Sequence, residues 1–225
     1  MPMRAEFPSP NFGPRRNGVL PDLIVLHYTA MPSCAEAAAR LCDAAAEVSA
    51  HYLISERGAV QALVPEELRA WHAGAGGWGG AQDVNSRSIG IELANPGDAP
   101  FSEPQMAALE GVLADVMARW QIPAARVIGH SDMAPGRKAD PGPRFDWQRL
   151  ARRGLSVWPE PGAEPGDFRA DARRFGYPDV ADDLLLAAFR LRFRPMAQGP
   201  LDAVDAVWAA DLAARFPVDA VAFAA

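Results

Sequence analysis

The stretch "VIGHSDMAPGRKADPGPRFDW" (127–147) sets His130, Asp132, Lys138, Asp140 and Asp146 among prolines and glycines that forbid a long helix. Lys138 is the only lysine in the chain; every other basic residue is an arginine. In an extended segment residues two apart point the same way, so Lys138 and Asp140 face one site. There a compact ammonium can stabilise an oxyanion as it forms, where a bulkier guanidinium fits less well. The chain has only four histidines, His27, His51, His72 and His130, and two of them, His27 and His130, close strand-like apolar runs. Two imidazoles and a carboxylate, with a fourth position open, are the donor set of a catalytic zinc. The spacing lacks the close pairing of an HExxH motif, so by itself it leaves a core or surface role open for each histidine.

Glu92 is the remaining candidate. In "SIGIEL" (88–93), Ile89, Ile91 and Leu93 share one face and Gly90 and Glu92 the other. A glutamate in so apolar a strand is paired, catalytic or on a solvated sheet face. Partial burial would raise its pKa and suit it to take a proton from a metal-activated water.

These residues need elements to position them. "DLIVLHY" (22–28) reads as a buried strand, "AEAAARLCDAAAEV" (35–48) as an alanine-rich helix, and "SAHYLISERGAVQALV" (49–64) as a hairpin turning at Glu56-Arg57-Gly58. "SRSIGIELAN" is a further strand, "EPQMAALEGVLADVMARW" (103–120) a long helix with Pro104 in its first turn, and "ARVIGH" a last short strand. The mixture predicts an α/β fold, a mixed central sheet flanked by helices, over residues 1–155. A proline- and glycine-rich linker follows (156–169), then a small all-α domain (170–225), which could pack alone or lean on the first. In its last helix Leu201, Val204, Trp208, Leu212 and Phe216 fall near helical spacing and predict one apolar face.

Composition narrows the function classes. With 225 residues, 49% hydrophobic content and a net charge of −6, the chain reads as globular and as a poor partner for nucleic acid or an anionic membrane surface. No apolar run approaches the roughly 18 residues that a spanning helix needs. The start "MPMRAEFPSPNFGPRRNG" has prolines where a secretory leader carries its apolar run. It predicts a cytoplasmic protein, or a periplasmic one if a leader has been removed. Cys34 and Cys42 would lie ~12 Å apart on a continuous helix, too far to bond, and are expected as two free thiols.

Taken in order, "LIVLHYTAM", "VSAHYLI", "RAWHAG", "NSRSIGIELAN" and "GHSDMAPGRKADPGPRFDW" resemble the successive motifs of zinc-dependent N-acetylmuramoyl-L-alanine amidases of the AmpD/AmiD type, over about residues 20 to 150. The resemblance implies Zn2+ bound by His27, His130 and Asp140, with Glu92 as general base and Lys138 as oxyanion stabiliser. It implies hydrolysis of the amide between N-acetylmuramic acid, or its 1,6-anhydro form, and L-alanine in peptidoglycan or muropeptides. The phage lysozyme-type relatives place a tyrosine where this chain has Ala50, so the base role falls to Glu92 alone. A non-catalytic peptidoglycan recognition module of the same fold is the alternative; many of those lack a zinc ligand, and here all three positions are filled. Trp71, His72 and Asn85 are expected to line the groove and touch sugar or peptide, and His51 to make a structural hydrogen bond. Asp132 and Asp146 either orient ligands from behind or cap turns. The stretch 170–216 is similar to three-helix peptidoglycan-binding modules.

Overall fold

The computed structural model describes residues 8–218, so the first seven and the last seven residues of the chain lie outside it. Five strands form the central sheet in the order β4-β3-β6-β2-β7. β2 (Leu23–Tyr28), β3 (Tyr52–Ile54), β6 (Ser88–Leu93) and β7 (Val127–Gly129) run parallel, and β4 (Val60–Ala62) pairs antiparallel with β3 as the expected hairpin. A two-stranded ribbon of β1 (Phe12–Pro14) and β5 (Leu68–Ala70) stands beside it. The mixed α/β architecture read from the sequence is the one observed.

Period-two alternation along β2 divides the molecule into two halves. Ile24 and Leu26 join Ile89, Ile91 and Leu93 of β6 against α3 (Glu103–Trp120), through Met106, Leu109, Leu113 and Val116. α3 begins and ends where the sequence placed it, with Ser102 as N-cap accepting from the Gln105 N–H at 3.3 Å. Leu23, Val25 and then His27 point to the opposite face. There Leu23, Val25, Trp78, Val84, Ile128 and Met133 share one continuous core with Phe168, Phe175, Leu185, Phe189, Phe193 and Leu212 from the C-terminal helices. Those helices are α6 (Phe168–Phe175), α7 (Asp182–Phe193) and α8 (Ala203–Arg215). They therefore lean on the sheet and cover the face from which His27 emerges. Gly176, at φ 142, ends α6 where the Trp78 ring occupies the space a Cβ would need, which locks the two halves at close range.

Three local expectations differ from the structure. The alanine-rich helix is short: α1 (Cys34–Leu41) stops at Cys42, and a single 3-10 turn follows at Ala44–Ala46, capped by the Asp43 carboxylate. Cys34 and Cys42 are unbonded and partly buried. His130 does not end a strand but opens the four-residue α4 (His130–Met133), while α2 (Val84–Arg87) and α5 (Trp147–Arg152) are further short helices that periodicity did not reveal. Of the apolar face expected for the last helix, Leu212 is buried and Trp208 and Phe216 pack on the core. Leu201, before α8, and Val204 are exposed, and Asp205, Ala209 and Ala213 are buried beside Leu212. Asp205 turns inward because Arg190 and Arg194 both bond its carboxylate, which makes a buried charge tolerable.

Because the shared core needs both halves, a chain ended after Pro161 is expected to precipitate or to melt well below the full-length protein. Thermal unfolding followed by circular dichroism on the two chains measures this; coincident melting curves would show that the helices add nothing to the sheet's stability.

Candidate metal centre

His27 reaches the site as the third inward residue of β2, and it lies beside Glu92 in the parallel register of β2 and β6. His130 arrives from β7 by way of α4, and Asp140 from the irregular segment after it. The three meet: His27 Nδ1 is 2.9 Å from His130 Nδ1 and 2.9 Å from Asp140 Oδ2, and His130 Nδ1 is 3.0 Å from Asp140 Oδ2. All three side chains are buried, and together they can hold a metal ion. Burial, with His130 adjacent, lowers the His27 pKa to about 4, so the ring is neutral and its lone pair is available at neutral pH. Asp140 is buried too, yet the two imidazole rings against it hold it well below the usual carboxylate range.

Hydrogen bonds fix which nitrogen of each ring carries the proton. His130 Nε2 lies 2.8 Å from the Ala73 carbonyl, which can only accept, so the proton is on Nε2 and Nδ1 is free to bind. For His27 the assignment runs through a chain. Ser88 donates its one proton to the Val84 carbonyl at 2.6 Å, so its Oγ must accept from His72 Nε2, 3.2 Å away. Burial holds the His72 pKa well below its ordinary value, leaving Nδ1 unprotonated. His27 Nε2 therefore donates to His72 Nδ1 at 3.0 Å, and its Nδ1 lone pair faces the other donors.

One dipeptide, His72-Ala73, thus serves both histidines. Asn85 pins it by accepting from both of its backbone N–H groups, at 3.0 and 2.8 Å. Gly90 is required beneath it, since a Cβ there would come within 2.4 Å of the His72 ring. His72 and Trp71 line the cavity over the donors. Asn85 does not; it is buried behind the wall, so its expected contact with substrate gives way to a role in holding the loop. Arg137, which the sequence reading passed over beside Lys138, donates to Ala73 O at 2.7 Å and to Ala75 O. Ser88 was missed as well; its one signal was a hydroxyl opening an otherwise apolar strand.

A cavity of about 470 Å³ opens onto the three donors and is also bordered by Glu92 and Lys138. Lys138 and Asp140 border one cavity as expected, but in a turn-rich segment, where the Lys138 N–H bonds Ala134 O at 3.1 Å, and not by alternation in an extended one. Glu92 Oε2 is buried with no hydrogen-bond partner among the described residues. Burial, with Asp140 nearby, raises its pKa to about 8. A larger hollow of about 890 Å³ lies between the glycine-rich loop near 76–80 and α6, but it contains none of the three donors. His51 makes the structural bonds expected of it: Nδ1 accepts from Gly90 N–H at 2.9 Å and Nε2 donates to Leu68 O at 3.1 Å. Asp146 is a cap, accepting from Arg149 N–H at 2.9 Å, whereas Asp132 is fully buried behind His130.

Residues 16–143 match the family described as N-acetylmuramoyl-L-alanine amidase. The chain belongs to that family. It is 36% identical to N-acetylmuramoyl-L-alanine amidase AmiD of Escherichia coli K12, over 80% of this chain and 78% of that protein. It is 34% identical to 1,6-anhydro-N-acetylmuramyl-L-alanine amidase AmpD of Salmonella typhimurium SL1344, over 64% of this chain and 86% of AmpD. Among solved structures, E. coli AmiD in complex with anhydro-N-acetylmuramic acid-L-Ala-D-gamma-Glu-L-Lys superposes with a TM-score of 0.79 at 34% identity, covering 89% of this chain and 92% of AmiD. AmpDh3 of Pseudomonas aeruginosa gives 0.79 at 32% identity, covering 89% of this chain and 94% of AmpDh3. Both of these alignments extend over most of this amidase, and among the described residues no helix is long and apolar enough to cross a membrane.

Two measurements probe this geometry. His72→Asn keeps an acceptor near the place of Nδ1 and is expected to hold metal close to wild type. His72→Leu removes it and is expected to weaken metal affinity by roughly 10–100-fold, read by competition with a chromophoric chelator. The second is a pH effect in chelator-treated protein. A carboxyl whose folded pKa is raised costs stability as pH climbs from its unfolded value towards about 8. Glu92→Gln should therefore be more stable than wild type at pH 8 and close to it at pH 4; urea melts showing a pH-independent difference would contradict the assignment.

Proposed function

We propose that this amidase binds zinc through His27, His130 and Asp140 and hydrolyses the amide between the lactyl group of N-acetylmuramic acid, or its 1,6-anhydro form, and L-alanine. The observation that carries the reading is the unpartnered, buried Glu92 carboxyl opening on the same cavity as three convergent donors. The residues fit the ion: two imidazoles whose remote nitrogens are already bonded, and one ionised carboxylate, are a donor set that suits zinc. Bound there, zinc supplies Lewis acidity towards a water and a carbonyl.

The protein's own groups move the protons. Glu92 Oε2, free of other bonds, takes a proton from the attacking water, and its raised pKa lets it keep that proton near neutrality before passing it to the leaving amine. Lys138 presents an ammonium at the cavity edge to the carbonyl oxygen as negative charge develops. Trp71 offers an apolar wall for sugar or peptide. The division of the chain into a catalytic unit (1–155), a linker and a helical peptidoglycan-binding-like unit (170–225) belongs to this proposal. So does the choice between anhydro-muropeptide and intact wall as substrate. Support for the muropeptide comes from the ligand named in the AmiD complex and from the anhydro-muramyl substrate in the AmpD names.

Purified protein is expected to carry about one zinc per chain, to lose activity with chelator and to regain it with zinc. Glu92→Gln and Lys138→Ala should each cut turnover roughly a hundredfold or more with zinc still bound. Mass analysis of products from sacculi and from anhydro-muropeptides, run side by side, identifies both the bond and the preferred substrate. A variant Glu92→Gln with wild-type turnover would remove the base from the mechanism.

A further inference from the structure

We infer that the C-terminal helices are part of the support of the metal centre: Arg192 and Tyr177 act as positioning residues for His130, through Asp132. The inference rests on the reading of His27, His130 and Asp140 as metal ligands and goes beyond it.

α4, which carries His130, is only four residues long, too short to be stable by its own hydrogen bonds. What holds it is the carboxylate of Asp132, two residues after the ligand and fully buried. Asp132 Oδ2 accepts from Gly129 N–H at 2.8 Å, which fixes the turn leading into His130. The same oxygen accepts from Arg192 Nη1 at 2.7 Å, and Oδ1 accepts from the Tyr177 hydroxyl at 2.7 Å. The sheet half thus supplies one N–H, and the C-terminal half supplies a guanidinium and a phenol.

Arg192 is itself held in one pose. Its Nη2 donates to Val127 O at 3.2 Å, on the strand that delivers His130, and to Ser156 Oγ at 3.1 Å, while its guanidinium lies 4.2 Å from the centre of the Trp147 ring. One side chain of α7 therefore grips the strand before the ligand and, through Asp132, the helix that carries it. Without Arg192 and Tyr177 a buried carboxylate would keep a single donor and would have to turn towards water, taking the start of α4 with it. A site whose donors must stand within about 0.5 Å of productive geometry does not tolerate that movement.

The test separates this role from general stability. Arg190 is a neighbour on α7, also buried, whose bonds run to Asp205 and to the carbonyls of Gly199 and Pro200, within the helical half. Zinc affinity by chelator competition and melting temperature of the zinc-loaded protein are measured for Tyr177→Phe, Arg192→Met, Arg192→Lys and Arg190→Met. Arg192→Met is expected to weaken zinc binding roughly 10–100-fold and Tyr177→Phe several-fold, with Arg192→Lys recovering most of the loss. Arg190→Met should lower the melting temperature and leave zinc affinity as in wild type. Wild-type affinity in both Arg192→Met and Tyr177→Phe, or an equal loss in Arg190→Met, would overturn the inference. If Arg192→Met fails to fold, Tyr177→Phe, which removes one hydroxyl, decides it. A wild-type protein that binds no zinc would instead overturn the metal reading on which this stands.

Discussion

Three donor atoms within about 3 Å of one another, all buried, can coexist only if the proton inventory of each is fixed. A stray proton on either Nδ1 would leave that nitrogen unable to bind a cation, and an unpaired charge would be expelled from so dry a place. Much of the surrounding structure is arranged to meet this constraint. The Val84 carbonyl sets the Ser88 hydroxyl, Ser88 sets His72, and His72 sets His27; the Ala73 carbonyl sets His130 directly. Each link is an acceptor that cannot reverse or a neutral ring that burial keeps from charging.

The same requirement explains why the site lies at the end of parallel strands. β2 and β6 run together in register, so their last inward residues, His27 and Glu92, meet at one edge of the sheet, where the chain leaves it and side chains face a cavity. Farther back along the same face the inward residues are Leu23 and Val25, fully buried, and each such side chain contributes roughly 1.5–3 kcal/mol through burial. The strand is anchored by apolar packing and presents chemistry only at its tip. Glu92 is the one acidic group placed there without a partner, and a carboxyl so placed costs stability unless its function uses it.

Much of this was legible in the sequence. Period-two and helical patterns gave β2, β6 and α3, because those elements bury one regular face. The three donors, Glu92 and Lys138 were readable from their motifs, and the structure gathers all five at one cavity. What was not legible depends on hydrogen bonds between residues distant in sequence. Asn85 looked like a groove residue, yet its carbonyl oxygen faces two backbone N–H groups of the His72 loop. Leu201 and Val204 matched a helical stripe, yet they are exposed while Trp208, Leu212 and Phe216 of the same stripe pack on the core, and Asp205, bonded by Arg190 and Arg194, is buried at the start of α8. Arg137 carries no pattern of its own and Ser88 only a hydroxyl at a strand's start, and the fold alone shows what they touch.

The Asp132–Arg192 pair bears most on how the two halves belong together. Removing one partner of a buried ion pair leaves an uncompensated charge and costs roughly 3–5 kcal/mol, a large part of the ~5–15 kcal/mol that separates folded from unfolded domains. A charge pair so expensive to break sits across the boundary between sheet and helices, within two residues of a metal ligand. A module tethered only to bring substrate near would be expected to meet its neighbour through a smaller, more polar and wetter surface. Here the meeting surface is a continuous apolar core with an arginine at its centre, and that arginine bonds the strand and the helix on either side of His130. AmpD of Salmonella typhimurium, by comparison, aligns with 64% of this chain over 86% of its own length. In this chain the sheet face is apolar where the helices cover it, and the carboxylate two residues after His130 is bonded by their side chains, so on the inference drawn above the helical segment belongs to the scaffold of the site.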